Sequence, residues 1–189
     1  MAKNYRPLAI PDGVKVNITP DEVTVKGKLG TLAVPVRHGL KVDSGDDGIT
    51  VTARGGSSRA HVGTLRALLR NAFTGVAEGF EKALQVRGMG YRVNQTKGGV
   101  QIQCGYSHQV EVNIPDGLTA EVNQLPNPDD TKQQMFEIVL KGIDKQLVGE
   151  VAAEIREIKP PDVYLGKGIR YRGEYVRKKA GKRAVGSEA

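Results

Sequence analysis

The chain has no tryptophan, one cysteine and only 5% aromatic residues among its 189 positions. A core without large rings must be built from Val, Leu, Ile and Ala. Hydrophobic residues make up 39% and charged residues 26%, enough apolar material to bury a core and too much for a disordered chain. A single cysteine, Cys104, excludes an internal disulfide and suits a reducing compartment. It stands in the alternating run VQIQCGY and reads as a small strand residue. No apolar run approaches the ~18–20 residues that cross a bilayer. The opening MAKNYRPLAIPDG lacks the apolar stretch of a signal peptide. The expectation is a cytoplasmic protein that does not span a membrane.

Acids are nearly missing from the end of the chain. Residues 164–189 hold eight Lys or Arg and only two acids, Glu174 and Glu188, a net of +6. The whole chain carries +7, so the remaining 163 residues are close to balanced, with 20 basic and 19 acidic side chains. Such asymmetry points to a polyanion, either nucleic acid or an acidic membrane.

Signatures of catalysis and small-ligand binding are also wanting. GKGIRY begins like a dinucleotide fingerprint, but Tyr171 stands where the third glycine is needed, and no phosphate-cradling G-x-x-x-x-G-K-[ST] occurs. His38, His61 and His108 are scattered, and the Cys104/His108 pair straddles a predicted turn with no second pair to complete a zinc site. DSGDD (43–47) lacks the Gly and Glu spacing of a calcium loop and reads as a solvated loop. GKLG (27–30) matches the G-x-x-G of a KH loop, but strand-like flanks make it a β-turn. No nucleophile motif or paired carboxylates appear. The expectation is a non-enzyme without cofactor, metal or small-molecule substrate.

What is present is a repeat. VTVKGKLGTLAVPVRHGLKV (23–42) echoes VQIQCGYSHQVEVNIPDGLTAEV (100–122). Gly27, Val34, Val36, Gly39 and Leu40 map onto Gly105, Val112, Ile114, Gly117 and Leu118 at a constant offset of 78. Each echo leads on to a strand, a glycine-containing turn and a helix. In the first helix Val62, Leu65, Leu69, Ala72, Phe73 and Val76 form the apolar stripe, with Ser57 or Ser58 as N-cap. In the second, Leu147, Val148, Val151, Ala152, Ile155 and Ile158 form it, Asp144 is the N-cap and Pro160-Pro161 ends the helix. DSGDD and QLPNPDDTKQ (124–133) are expected as loops. The fold class is therefore α+β: two tandem, duplicated small domains, each an antiparallel sheet packed by one helix, with a basic C-terminal extension. The boundaries are set at 1–82, 83–176 and 177–189, with RNA binding assigned to the second domain and the tail.

The segment YLGKGIRYRGEYVRKKAGK (164–182) combines cations with glycines and tyrosines. Arginine offers forked hydrogen bonds to phosphate, and lysine adds point charge. Gly166, Gly168 and Gly173 permit close backbone approach and positive φ. Gly168 is expected in a turn outside both cores. Tyr164, Tyr171 and Tyr175 can stack on bases, pack on ribose or fasten the segment to its own domain. Four glycines argue against a membrane-surface helix. With no recognition helix in view, RNA is favoured over DNA.

The block LKGIDKQLVGEVAAEIREIKPPDVYLGKGIRYRGEYVRKKAGK (140–182) closely resembles the C-terminal signature of the family of bacterial-type ribosomal protein six of the large subunit. RALLRNAFTGVAEGFEKALQVRGMGYRV (66–93) and GYSHQVEVNIPDGL (105–118) resemble further blocks of that family, in the same order over about residues 8–182. The resemblance implies a duplicated two-domain protein. It implies binding to large-subunit ribosomal RNA near the sarcin–ricin loop and the base of the factor-binding stalk, among neighbouring ribosomal proteins. It also makes the C-terminal segment a main RNA contact, through Gly166, Lys167, Gly168, Arg170, Tyr171, Arg177, Lys178, Lys179 and Lys182. The charge map adds Arg172 and Arg183. The opening of the chain departs from the family's usual start, and Val163 and Leu165 stand where the family usually has Pro and Lys. Rival readings are an RNA-processing or RNA-modifying enzyme with a basic docking tail, and a free regulatory RNA-binding protein.

Overall fold

The structure is a computed structural model, and it describes residues 6–45, 48–53, 55, 59–127 and 130–179. These form two compact units. One gathers the residues up to Phe80 together with Lys141–Val148, and the other gathers Glu81–Leu140 and the residues from Gly149 onward. The division expected at residue 82 falls inside a strand, Phe80–Arg87.

In the first unit, β1 (Lys15–Ile18), β2 (Glu22–Lys26) and β3 (Thr31–Pro35) form an antiparallel sheet in that order. The alternation of β2 decides its facing: Val23 and Val25 are fully buried while Glu22 and Lys26 face solvent. GKLG is the expected turn between β2 and β3, closed by the Gly27 N–H donating to the Gly30 carbonyl at 2.9 Å. Gly27 must be glycine, because a Cβ there would lie 2.6 Å from the Val76 carbonyl oxygen. A hairpin of β4 (Leu40–Gly45) and β5 (Gly48–Ala53) follows, then α1 (Arg59–Ala77), which packs against β2, β3 and β5. All six residues of the expected α1 stripe are buried. Ser57 and Ser58, the proposed caps, lie outside the described residues, as do Asp46 and Asp47. The rest of DSGDD is not loop: Asp43–Gly45 continue β4, and Gly45 pairs with Gly48.

The second unit repeats this pattern and extends it. β7 (Arg92–Thr96), β8 (Gly99–Gln103) and β9 (Val110–Asn113) reproduce the three-stranded sheet. β10 (Leu118–Asn127) and β11 (Asp130–Gly142) answer the β4–β5 hairpin. The offset of 78 is visible in bonding. The Leu40 N–H donates to the Arg37 carbonyl at 3.2 Å, and the Leu118 N–H donates to the Pro115 carbonyl at 3.2 Å. The intervening Gly39 and Gly117 have φ of +83° and +91°, a region glycine enters without penalty. QLPNPDDTKQ, expected as a loop, is instead mostly strand: 124–127 close β10 and 130–133 open β11. Turn-type composition misled there, because hairpin pairing outweighs the weak strand propensity of Asn, Asp and Gln. Cys104 sits one residue past β8, fully buried, and burial pushes its thiol pKa up.

Helix α2 (Lys145–Ile158) starts as expected. The Asp144 carboxylate accepts the Gln146 N–H at 2.8 Å, and the Asp144 carbonyl accepts the Val148 N–H at 3.0 Å. Val148, Val151, Ala152 and Ile155 are buried. The second unit extends its hairpin with two strands, β6 (Phe80–Arg87) and β12 (Gly168–Tyr171); the first unit answers β6 only by a single antiparallel bridge of Leu8 to Ile49 in β5, and among the described residues nothing in it answers β12. β6 and β12 complete a four-stranded sheet in the order β10-β11-β6-β12.

Leu69 and Ile155 are both inaccessible to solvent. Truncating either to alanine should cost about 2–5 kcal/mol through lost transfer energy and a residual cavity. Urea unfolding of Leu69→Ala and Ile155→Ala should show losses in that range, whereas Leu29→Ala, at a residue 54% exposed, should change stability by less than about 0.5 kcal/mol.

Candidate nucleic-acid interface

The basic segment is built in three steps. Pro160 and Pro161 stop α2, since proline cannot donate to the helix ladder. Asp162 then organises a tight loop. Its carboxylate accepts the N–H groups of Tyr164 (3.2 Å) and Leu165 (2.8 Å). Its own N–H donates to the Lys167 carbonyl at 2.8 Å, and its carbonyl accepts the Gly166 N–H at 2.9 Å. Gly166 turns the chain at φ +72°.

Next, β12 docks antiparallel on β6, with Ile169 opposite Val86 and Tyr171 opposite Leu84. Ile169 is fully buried, and its N–H donates to the Lys159 carbonyl at 2.7 Å. Gly168 therefore does not lie in a turn outside the cores, as the sequence suggested. It opens β12 at φ +142°, buried, and a Cβ there would sit 2.6 Å from the Pro160 carbonyl oxygen and 2.7 Å from Pro161 Cα. The two prolines that end α2 leave no room for a side chain.

Finally, Glu174 clamps the return. Its carboxylate accepts Arg156 Nη2 at 2.6 Å, Arg156 Nε at 3.2 Å and the Tyr171 N–H at 2.9 Å. The hydrogen bond from Arg156 and the Tyr171 N–H hold this carboxyl below its ordinary pKa of 4.5, outweighing the desolvation that raises it. The same pairing raises Arg156. Beyond the clamp the chain runs back along the loop, and the Lys179 N–H donates to the Val163 carbonyl at 2.8 Å. Lys178 Cε reaches to 3.1 Å from the position of a Cβ on Gly166.

This geometry sorts the expected RNA-binding residues. Arg172 is engaged inside the unit, forked onto Glu137 at 2.9 and 2.8 Å and 3.5 Å from Glu81. Tyr171 is half-buried, with Lys82 Nζ 5.1 Å and the Arg156 guanidinium 5.6 Å from its ring centroid. Arg170 is half-buried in β12. Lys167, Arg177, Lys178 and Lys179 make no ion pair among the described residues, and the last three are exposed. Lys182 and Arg183 lie outside the described residues. Tyr164 and Tyr175 are 55% and 88% exposed. The sequence reading missed Arg156, Glu137 and Glu174 as the supports of this segment. Glu174 did carry a signal, as the one acid inside a run of cations. The result is a ridge of unpaired cations with exposed tyrosines, suited to phosphates and bases.

The family described as Ribosomal protein L6 matches the chain twice, over residues 10–79 and 87–172. Among curated proteins, the large ribosomal subunit protein uL6 of Rubrobacter xylanophilus is 46% identical over 179 residues, covering 93% of this chain and 95% of that protein. The uL6 of Sphingopyxis alaskensis is 44% identical, covering 92% and 94%. That of Pseudomonas putida F1 is 44% identical over 186 residues, covering 97% and 98%.

Two outcomes test the construction of this site. A carboxyl depressed on folding contributes stability that is complete above its ordinary pKa and is lost as pH falls through the folded value. The Tyr171 amide resonance should therefore titrate with its midpoint below 4.5, and that titration should vanish in Glu174→Gln. A midpoint above 4.5, or an unchanged titration in the variant, would contradict the clamp. Gly168→Val should lower unfolding stability by about 3 kcal/mol or more, since it forces both backbone strain and overlap with Pro160. Unaltered urea unfolding would show that the close approach is not real.

Proposed function

Because the chain belongs to the ribosomal protein L6 family, whose members are structural proteins of the large ribosomal subunit and not enzymes, we propose that it fastens large-subunit ribosomal RNA near the sarcin–ricin loop and the base of the factor-binding stalk. Its association with the large subunit and its RNA follows from the family. The position on that RNA, the neighbouring ribosomal proteins and the residues in contact are our reading.

The observation that carries it is the set of cations that have no ion pair among the described residues. Lys167 lies in the Asp162 loop just before β12, and Arg177, Lys178 and Lys179 lie in the return segment beyond Glu174, which the Lys179 N–H ties to the Val163 carbonyl. Lys182 and Arg183 continue the run in the sequence. A preorganised cationic ridge gains affinity because little ordering remains to be done on binding. Gly166, Gly168, Arg170, Tyr171 and Arg172 belong to the same interface, with Gly168, Tyr171 and Arg172 acting through the geometry they hold. Paired RNA hides its base edges in a deep major groove, so recognition here runs through phosphates, 2′-hydroxyls and irregular positions. The enzyme reading is set aside by the family, and the ribosomal setting replaces the free regulator.

Ionic strength tests this directly. Each phosphate contact contributes roughly 0.7–0.9 to the slope of log affinity against log salt. Against a large-subunit RNA fragment carrying the sarcin–ricin region, Lys178→Glu with Lys179→Glu should weaken binding and flatten the slope by about 1.4–1.8. A slope equal to that of the unmodified chain would remove the tail from the phosphate contact.

A further inference from the structure

The loop after β8 carries an arrangement that the tail does not use. The rings of Tyr106 and His108 stack with centroids 6.0 Å apart and planes 18° from parallel. The Tyr106 hydroxyl donates to the carbonyl of Ile158 at 2.8 Å, at the last residue of α2. Lys159 Nζ lies 4.8 Å from the Tyr106 ring centroid. The Lys159 carbonyl is also the acceptor for the Ile169 N–H that seats β12. The ring pair is thus anchored to the two residues from which the basic segment departs.

Burial does not account for this pair. Tyr106 is 41% exposed, and His108, with Ser107 and Gln109 beside it, is exposed too. An offset stack held in water contributes little to the core, and the hydroxyl tether could fix Tyr106 without a histidine on its ring. What the arrangement does provide is a rigid aromatic surface next to a cation. Unpaired RNA bases are recognised by stacking on such surfaces, whatever their sequence. A protein partner would call for an apolar surround, whereas Ser107, Gln109 and Lys159 beside the pair are polar.

We propose that the Tyr106–His108 pair is a stacking platform for one unpaired nucleobase of the bound RNA, with Lys159 meeting an adjoining phosphate. This rests on the RNA-binding reading of the tail and extends it to a second site on the same unit. The platform adds base stacking, which is insensitive to salt, to phosphate contacts, which are not.

The test uses the full chain and the large-subunit RNA fragment carrying the sarcin–ricin region. Removing one base–aromatic stack weakens single-stranded binding by roughly 5- to 150-fold. His108→Ala should lower affinity about tenfold with the salt slope and melting temperature unchanged, and His108→Phe should restore affinity to within about twofold. Three results would overturn the platform: full affinity in His108→Ala, a loss accompanied by a shallower slope and rescued by Lys but not Phe, or a loss that tracks melting temperature. Unaltered RNA binding with impaired incorporation into large subunits would assign the pair to a protein neighbour and overturn it as well. The tail reading fails separately, if the Lys178/Lys179 charge reversal is silent.

Discussion

The basic segment depends on one carboxylate. Glu174 accepts two hydrogen bonds from Arg156 and one from the Tyr171 backbone, and so closes the chain onto α2 immediately after β12. The pair is partly exposed, at 32% and 24% for the two side chains, so its energy in water is small. Its consequence is geometric. With Glu137 holding Arg172, the two acids take up two arginines of this unit, whose forked guanidiniums suit bidentate pairing. The cations left over, Lys167, Arg177, Lys178 and Lys179, stand without acids of their own among the described residues. A segment of like charges would repel itself off the surface. Here the backbone is fixed by strand pairing and by the Asp162 loop, and the repulsion is left for an anionic partner to relieve.

Duplication supplied the scaffold, and an addition made the halves unequal. The three-stranded sheet, the hairpin and the helix recur, down to matching turns at Gly39 and Gly117. The family likewise matches each half separately. The bridge of Leu8 to Ile49 is lengthened to a full strand, β6, in the second unit, and among the described residues β12 belongs to the second unit alone. β12 is the element that converts a charged C-terminal run into a placed one, since Ile169 buries fully and Gly168 fits beneath the proline pair. In the function proposed here, the RNA contact lies in what was appended to the repeat.

Much of the fold could be read from residue order because it rests on local rules. Helical periodicity marked the α1 stripe, Asp144 announced the start of α2, and glycine spacing exposed the repeat. Where the reading failed, tertiary pairing rather than local composition decided the outcome. Polar residues at 124–127 and 130–133 resemble a loop until paired across a hairpin. Gly168 resembles a flexible turn until Pro160 and Pro161 are placed against it. The basic segment was legible as charge, but charge alone does not separate Arg172, engaged by Glu137, from Lys178 and Lys179, which make no ion pair among the described residues. That distinction needs residues 35 positions apart.

Lysine acetylation, read by mass spectrometry in the free chain and in the RNA-bound chain, compares the candidate surfaces in one experiment. Lys167, Lys178 and Lys179 should become strongly protected on binding, while Lys15, Lys26 and Lys28 of the first unit, all exposed, should react as before. Protection of the first-unit lysines with the tail lysines left reactive would contradict the account.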